Sequence, residues 1–130
     1  MRVKCISNSG NTLSEKYIIN GELPTAEYPL SVGNEYTVYG ISQWKNVIYY
    51  LTINKYNTLP SWYPADLFEI TDNLLPIEWY YNCFKNSETL SAIWGYSELA
   101  LIEKHYEDLI ERNDNAIKIF LKRKSEIDNY

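Results

Sequence analysis

Polar and apolar residues alternate through Arg2-Val3-Lys4-Cys5-Ile6, the pattern of a half-buried strand. Asn8-Ser9-Gly10-Asn11 supplies turn chemistry, and Tyr17-Ile18-Ile19 reads as a short second strand ending at the Asn20-Gly21 turn dipeptide. Pro24 and Pro29 punctuate the loop that follows. Alternation resumes over Glu35–Ile41. Val47–Ile53, β-branched and aromatic throughout, carries the strongest strand pattern of the chain. Ser42-Gln43-Trp44-Lys45-Asn46 is short enough to join these two strands as a hairpin loop. Asn54–Pro60 reads as a loop and Leu67–Ile70 as a last short strand. Ile77–Phe84 fits a further strand or a buried connector.

The period changes from two to between three and four at Ser97. Leu99, Ile102, Tyr106, Leu109 and Ile110 form one helical stripe behind a Ser97 N-cap. Asn113-Asp114-Asn115 interrupts it. Asp114 can cap a second helix with the stripe Ile117, Phe120, Leu121 and Ile127. So short a break predicts a helical hairpin or one kinked helix. Two apolar stripes need a surface to bury them, which the strand region offers. One boundary, near Leu75-Pro76, separates a strand-rich part (1–75) from an aromatic connector and two helices (76–130), within a single folding unit over 1–130.

The order Pro29–Val38, then Val47–Ile53, then Trp62-Tyr63-Pro64-Ala65-Asp66-Leu67-Phe68-Glu69-Ile70 resembles the small barrels of the Src-homology-3-like type. Gly33 stands before the first core strand, a hairpin lies at the centre, and a Pro-x-x-x-Phe-Glu segment ends the stretch. The resemblance implies an α+β fold: a small antiparallel β-barrel with a C-terminal helical hairpin packed on it. It covers about half the chain and brings no site residues with it. The whole chain looks like a small bacterial family with such a barrel and a helical tail, and in type it is similar to toxin-immunity proteins.

Composition narrows the chemistry. The 130 residues hold 12 basic and 17 acidic side chains, for a net charge of −5. That field disfavours nucleic-acid binding, which usually needs a basic face, and suits a basic protein partner. No apolar run reaches the length of a membrane span and no leader pattern is visible at the start, so the expected location is cytoplasmic. Cys5 and Cys83 lie far apart and outside any Cys-x-x-Cys pair; both are expected to be buried small hydrophobes. His105, the only histidine, falls beside the first helical stripe and is expected at the helix surface. One histidine and two separated cysteines make neither a catalytic triad nor a zinc site. Five scattered glycines write no phosphate-binding loop. No enzyme activity, metal or cofactor is expected.

Thirteen Tyr, four Trp and three Phe remain to be explained. Tyr, like the abundant Asn, Ile and Lys, has AT-rich codons, so the four Trp carry more information. Trp79, Tyr80, Tyr81, Phe84, Trp94 and Tyr96 are expected to glue helices to strands. Trp44, Trp62 and Tyr63 fall on predicted loops, where a large aromatic either closes the end of the barrel or anchors a partner. Glu103, Glu107 and Glu111 step by four along the first helix, a solvated face or an acidic docking stripe. Lys118, Lys122, Arg123 and Lys124 are expected to offset the dipole of the second helix. The reading that joins these features is a non-enzymatic protein-binding module, an immunity-type inhibitor of a basic toxin. A barrel that binds a small ligand or peptide between Trp44, Trp62 and Tyr63 is the alternative.

Overall fold

The computed structural model describes residues 1–54, 56 and 59–130. Lys55, Asn57 and Thr58 of the expected Asn54–Pro60 loop lie outside the described residues. The architecture is mixed α+β, with two antiparallel sheets. The first holds β1 (Arg2–Cys5) between β2 (Glu35–Thr37) and β6 (Phe68–Asp72). The second runs in the order β5 (Pro60–Pro64), β4 (Val47–Ile53), β3 (Gly40–Trp44), β8 (Leu90–Gly95), β7 (Tyr80–Cys83). A short helix α1 (Glu15–Ile19) precedes β2, and α2 (Ser97–Leu101), α3 (Glu103–Ile110) and α4 (Asp114–Asp128) follow β8. Among the described residues the strand ladders form these two separate sheets and do not close into one cylinder.

The larger sheet is the middle layer. Val3, Cys5, Leu30, Tyr63 and Leu67 build one core with the small sheet. Leu51, Ile93, Leu99, Leu109 and Phe120 build a second core beneath the helices. Val47–Leu51 of β4 therefore meets apolar neighbours on both sides, which is why its sequence is nearly continuous in apolar residues. At the back of the helical core, Gly40 and Gly95 face each other across β3 and β8. A Cβ on either would come within 2.5 or 2.6 Å of a Leu99 methyl, so the glycine pair makes the seat into which α2 drops Leu99.

Several expected elements differ. Tyr17-Ile18-Ile19 is one turn of helix α1 and not a strand: Tyr17 is buried while Ile19 is exposed, and a three-residue apolar run fits either period. Glu35–Ile41 is two strands, β2 and the start of β3, because the chain passes from one sheet to the other at Val38-Tyr39. The β3–β4 hairpin closes more tightly than expected. Lys45 and Asn46, at φ of 48° and 68°, form a two-residue turn with the left-handed backbone that matches strand twist. The expected hairpin loop, with Trp44 in it, is thus mostly strand. Of Ile77–Phe84, Tyr80–Cys83 forms an edge strand, and Cys83 is exposed on it, unlike buried Cys5. The single long first helix is broken at Ile102 (φ −114°, ψ 98°), which turns Ile102 outward and His105 inward. Ile110 and Leu121 of the expected stripes are also largely exposed. The cap of α4 is Asn113, one residue before Asp114, and its side chain accepts from the Asn115 and Ala116 amides at 3.0 and 3.3 Å.

Candidate functional site

Strand alternation separates the three aromatic candidates. In β5, Trp62 pairs with Leu51 and Tyr63 with Tyr50, so adjacent residues point to opposite faces of the sheet. Tyr63 is 4% exposed in the core shared with the small sheet, its ring edge-on to Tyr28 at 6.3 Å. Neither residue is on a loop, and Tyr63 is a core residue rather than a recognition residue. Trp62 lies on the helical side, touches both cores, and tilts against Tyr106 of α3 at 5.7 Å. Trp44 ends β3 on this side of the molecule, half-buried and perpendicular to Tyr49 at 6.4 Å.

Trp44, Tyr49, Trp62 and Tyr106 wall a cavity of about 380 Å³ between the sheet and α3. Leu51, Leu109 and Ile110 supply the rest of its apolar lining. The polar groups are few. The Glu22 carboxylate accepts from the Tyr28 hydroxyl at 2.5 Å and from the Tyr49 hydroxyl at 3.2 Å. Burial and the Glu22 charge both raise the Tyr49 pKa, so its hydroxyl stays protonated as the donor. Arg112, just past α3 at φ 62°, donates to the Pro60 carbonyl and to Ser61 Oγ, the latter at 2.8 Å. It thereby ties the end of α3 to the start of β5. The Tyr106 hydroxyl has no partner among the described residues, and burial pushes its pKa up to about 12. The Trp62 indole N–H is buried and lacks an acceptor among the described residues.

A second depression, about 500 Å³, shares the Trp44 and Tyr106 walls. Glu103 and Glu107 line it from α3, opposite Phe84, Lys85 and Leu90. Two of the three stripe carboxylates therefore join the aromatic candidates at one place. Glu111, one turn on, lines neither depression and stays in solvent. Sequence reading overlooked Glu22, Tyr49, Tyr106 and Arg112 as cavity residues. Tyr106 belonged to an apolar stripe whose other members suggested core, and nothing local marks Glu22, which arrives from a loop.

His105 is buried at 5% exposure, against the expected surface position. Its Nε2 lies 2.7 Å from the Tyr96 hydroxyl. Burial lowers the imidazole pKa, opposed in part by Glu98 and Asp108, and burial raises that of Tyr96. The uncharged imidazole and the phenol share one buried hydrogen bond, a core contact away from the cavity. Arg123, expected only to offset a dipole, grips Glu98 with two bonds of 2.8 and 2.9 Å and holds its carboxyl down at about 2. Among the described residues no three His, Cys, Asp or Glu side chains gather as a metal site, and no helix is long and apolar enough to cross a membrane.

Comparison with family models, with curated proteins and with solved structures finds no match to this chain.

Proposed function

We propose that the protein is a non-enzymatic binding module that takes a segment of a protein partner into the cavity between Trp44, Trp62 and Tyr106. The observation that carries this reading is the cavity itself. It is within the size range of ligand sites, lined mainly by aromatic and aliphatic side chains, and holds a few unused polar groups. Two features favour a polypeptide. The depression bearing Glu103 and Glu107 adjoins the cavity across Trp44 and Tyr106, so an extended segment could engage both. The net charge of −5 steers basic partners toward it. An immunity-type protein of the cytoplasm that neutralises a basic bacterial toxin is the specific form of this reading, on a Src-homology-3-like scaffold over residues 1–75. The second reading, a protein for a free small ligand, is favoured by the cavity volume alone.

Selection from a random peptide display library tests the proposal. Peptides that bind the intact protein and fail to bind Tyr106→Ala are the expected result. An empty selection, or peptides indifferent to Tyr106→Ala and Trp44→Ala, would sink it.

A further inference from the structure

Among the described residues, four aromatic rings and one carboxylate, Glu22, line the cavity. We infer that this cavity receives a lysine side chain of the partner, with the ammonium held against Glu22 and the faces of Trp44, Tyr49 and Tyr106. The inference rests on the binding reading above and names the chemistry that site recognises.

The electrostatics are graded along the cavity. Glu22 sits at the Tyr49 end, bonded to the Tyr49 hydroxyl. Two hydroxyl donors occupy part of a carboxylate that has about four acceptor positions, and among the described residues no cation pairs with it. Among the described residues Arg112 is the one basic residue in the lining, and its guanidinium is engaged by Pro60 and Ser61. Ser61 pairs with Thr52, three residues along β4 from Tyr49, so that end of the cavity lies roughly 10 Å up the strand, about one screening length away in physiological salt. An incoming cation is thus drawn to the Glu22 end.

The rings suit a cation as well. Trp44 and Tyr49 meet at 90°, and Trp62 and Tyr106 at 47°, so the walls form corners and not a parallel slot. Electron-rich ring faces attract ammonium groups within about 6 Å. Trp44 already shows the preference, because the Lys45 ammonium lies 4.5 Å from its ring centroid. A lysine offers what the remaining lining requires: a four-carbon stem to cover Leu51 and Ile110, and a compact charge at its tip. Glu103 and Glu107, in the adjoining depression, then lie along the path of a basic segment.

The experiment follows the four indole N–H resonances of the full chain by NMR during titration with Nα-acetyl-lysine methylamide, and separately with the norleucine analogue, which lacks the charge. The expected result is movement of the Trp44 and Trp62 signals with those of Trp79 and Trp94 unmoved, and lysine binding roughly tenfold tighter than norleucine. Added salt should weaken the lysine compound alone. Glu22→Gln, which keeps an acceptor for the two tyrosines, should bring the two compounds to equal affinity. Equal affinity in the intact protein would overturn the lysine inference and leave the cavity reading standing. So would a failure of both compounds to move Trp44 and Trp62 while display-selected peptides still depend on Tyr106. If those peptides are absent too, both readings fall.

Discussion

Burial of His105 on the inner face of α3 disfavours its charged form, and that has a cost that depends on pH. The unfolded imidazole titrates near 6.5, and the folded one below that. As pH falls through 6.5 the unfolded chain takes up protons that the native one does not, so stability declines. Thermal melts at about pH 7.5 and 5.5 should show this decline, and His105→Gln should flatten it. Glu98 behaves in the same direction for a different reason. Arg123 depresses its pKa from 4.5 to about 2, so the pair's contribution is complete above pH 4.5, declines below it and is lost as pH falls through about 2. Solvent still reaches both side chains, at 24% and 23% exposure, so a contribution of about 1 kcal/mol is expected rather than that of a fully buried pair. Urea unfolding of Glu98→Gln should show that deficit at neutral pH and a much smaller one near pH 2. Both tryptophans of the cavity pack against both cores, so Trp62→Ala and Trp44→Ala should each cost roughly 2–3 kcal/mol, read from urea unfolding. Trp44→Ala enters binding assays at a temperature where its melt shows it folded.

At the scale of elements, strong periodicity translated directly into structure. β1, β4 and α4 stand where alternation, β-branching and helical spacing put them, and the 3-10 turn Ala65–Leu67 leads from β5 into β6. Weak local signals failed. β8 was not foreseen, although it sits inside the larger sheet between β3 and β7. Its Ser91, Ala92 and Gly95 have little strand preference of their own, and two neighbouring strands impose the conformation. The break at Ile102 was invisible as well, since Leu99, Ile102 and Tyr106 keep helical spacing across it. The placement of the candidate site suffered accordingly. That Trp62 and Tyr63 are adjacent, and so must face opposite ways in a strand, became decisive only once β5 was known to be one. The seat for Leu99 gives an element-scale prediction. Gly40→Ala should lower stability by about 1–3 kcal/mol, read from chemical unfolding, because its Cβ meets both the Leu99 methyl and the Trp62 ring edge.

Across the whole molecule, the helices convert one face of the larger sheet into a lidded surface with an opening. α2, α3 and α4 seal Leu99, Leu109 and Phe120 into the core, and beside Leu109 a space between α3 and the sheet is bordered by Trp44, Trp62 and Tyr106. Arg112 holds that spacing from the other end. The acidic surface of α3 faces the same approach, so long-range attraction and local anchoring act on one partner. The most direct measurement is the calorimetric affinity of a display-selected peptide for the intact protein and for Trp44→Ala. Binding to the variant should be at least roughly tenfold weaker. An unchanged affinity would contradict the assignment of the cavity as the binding site.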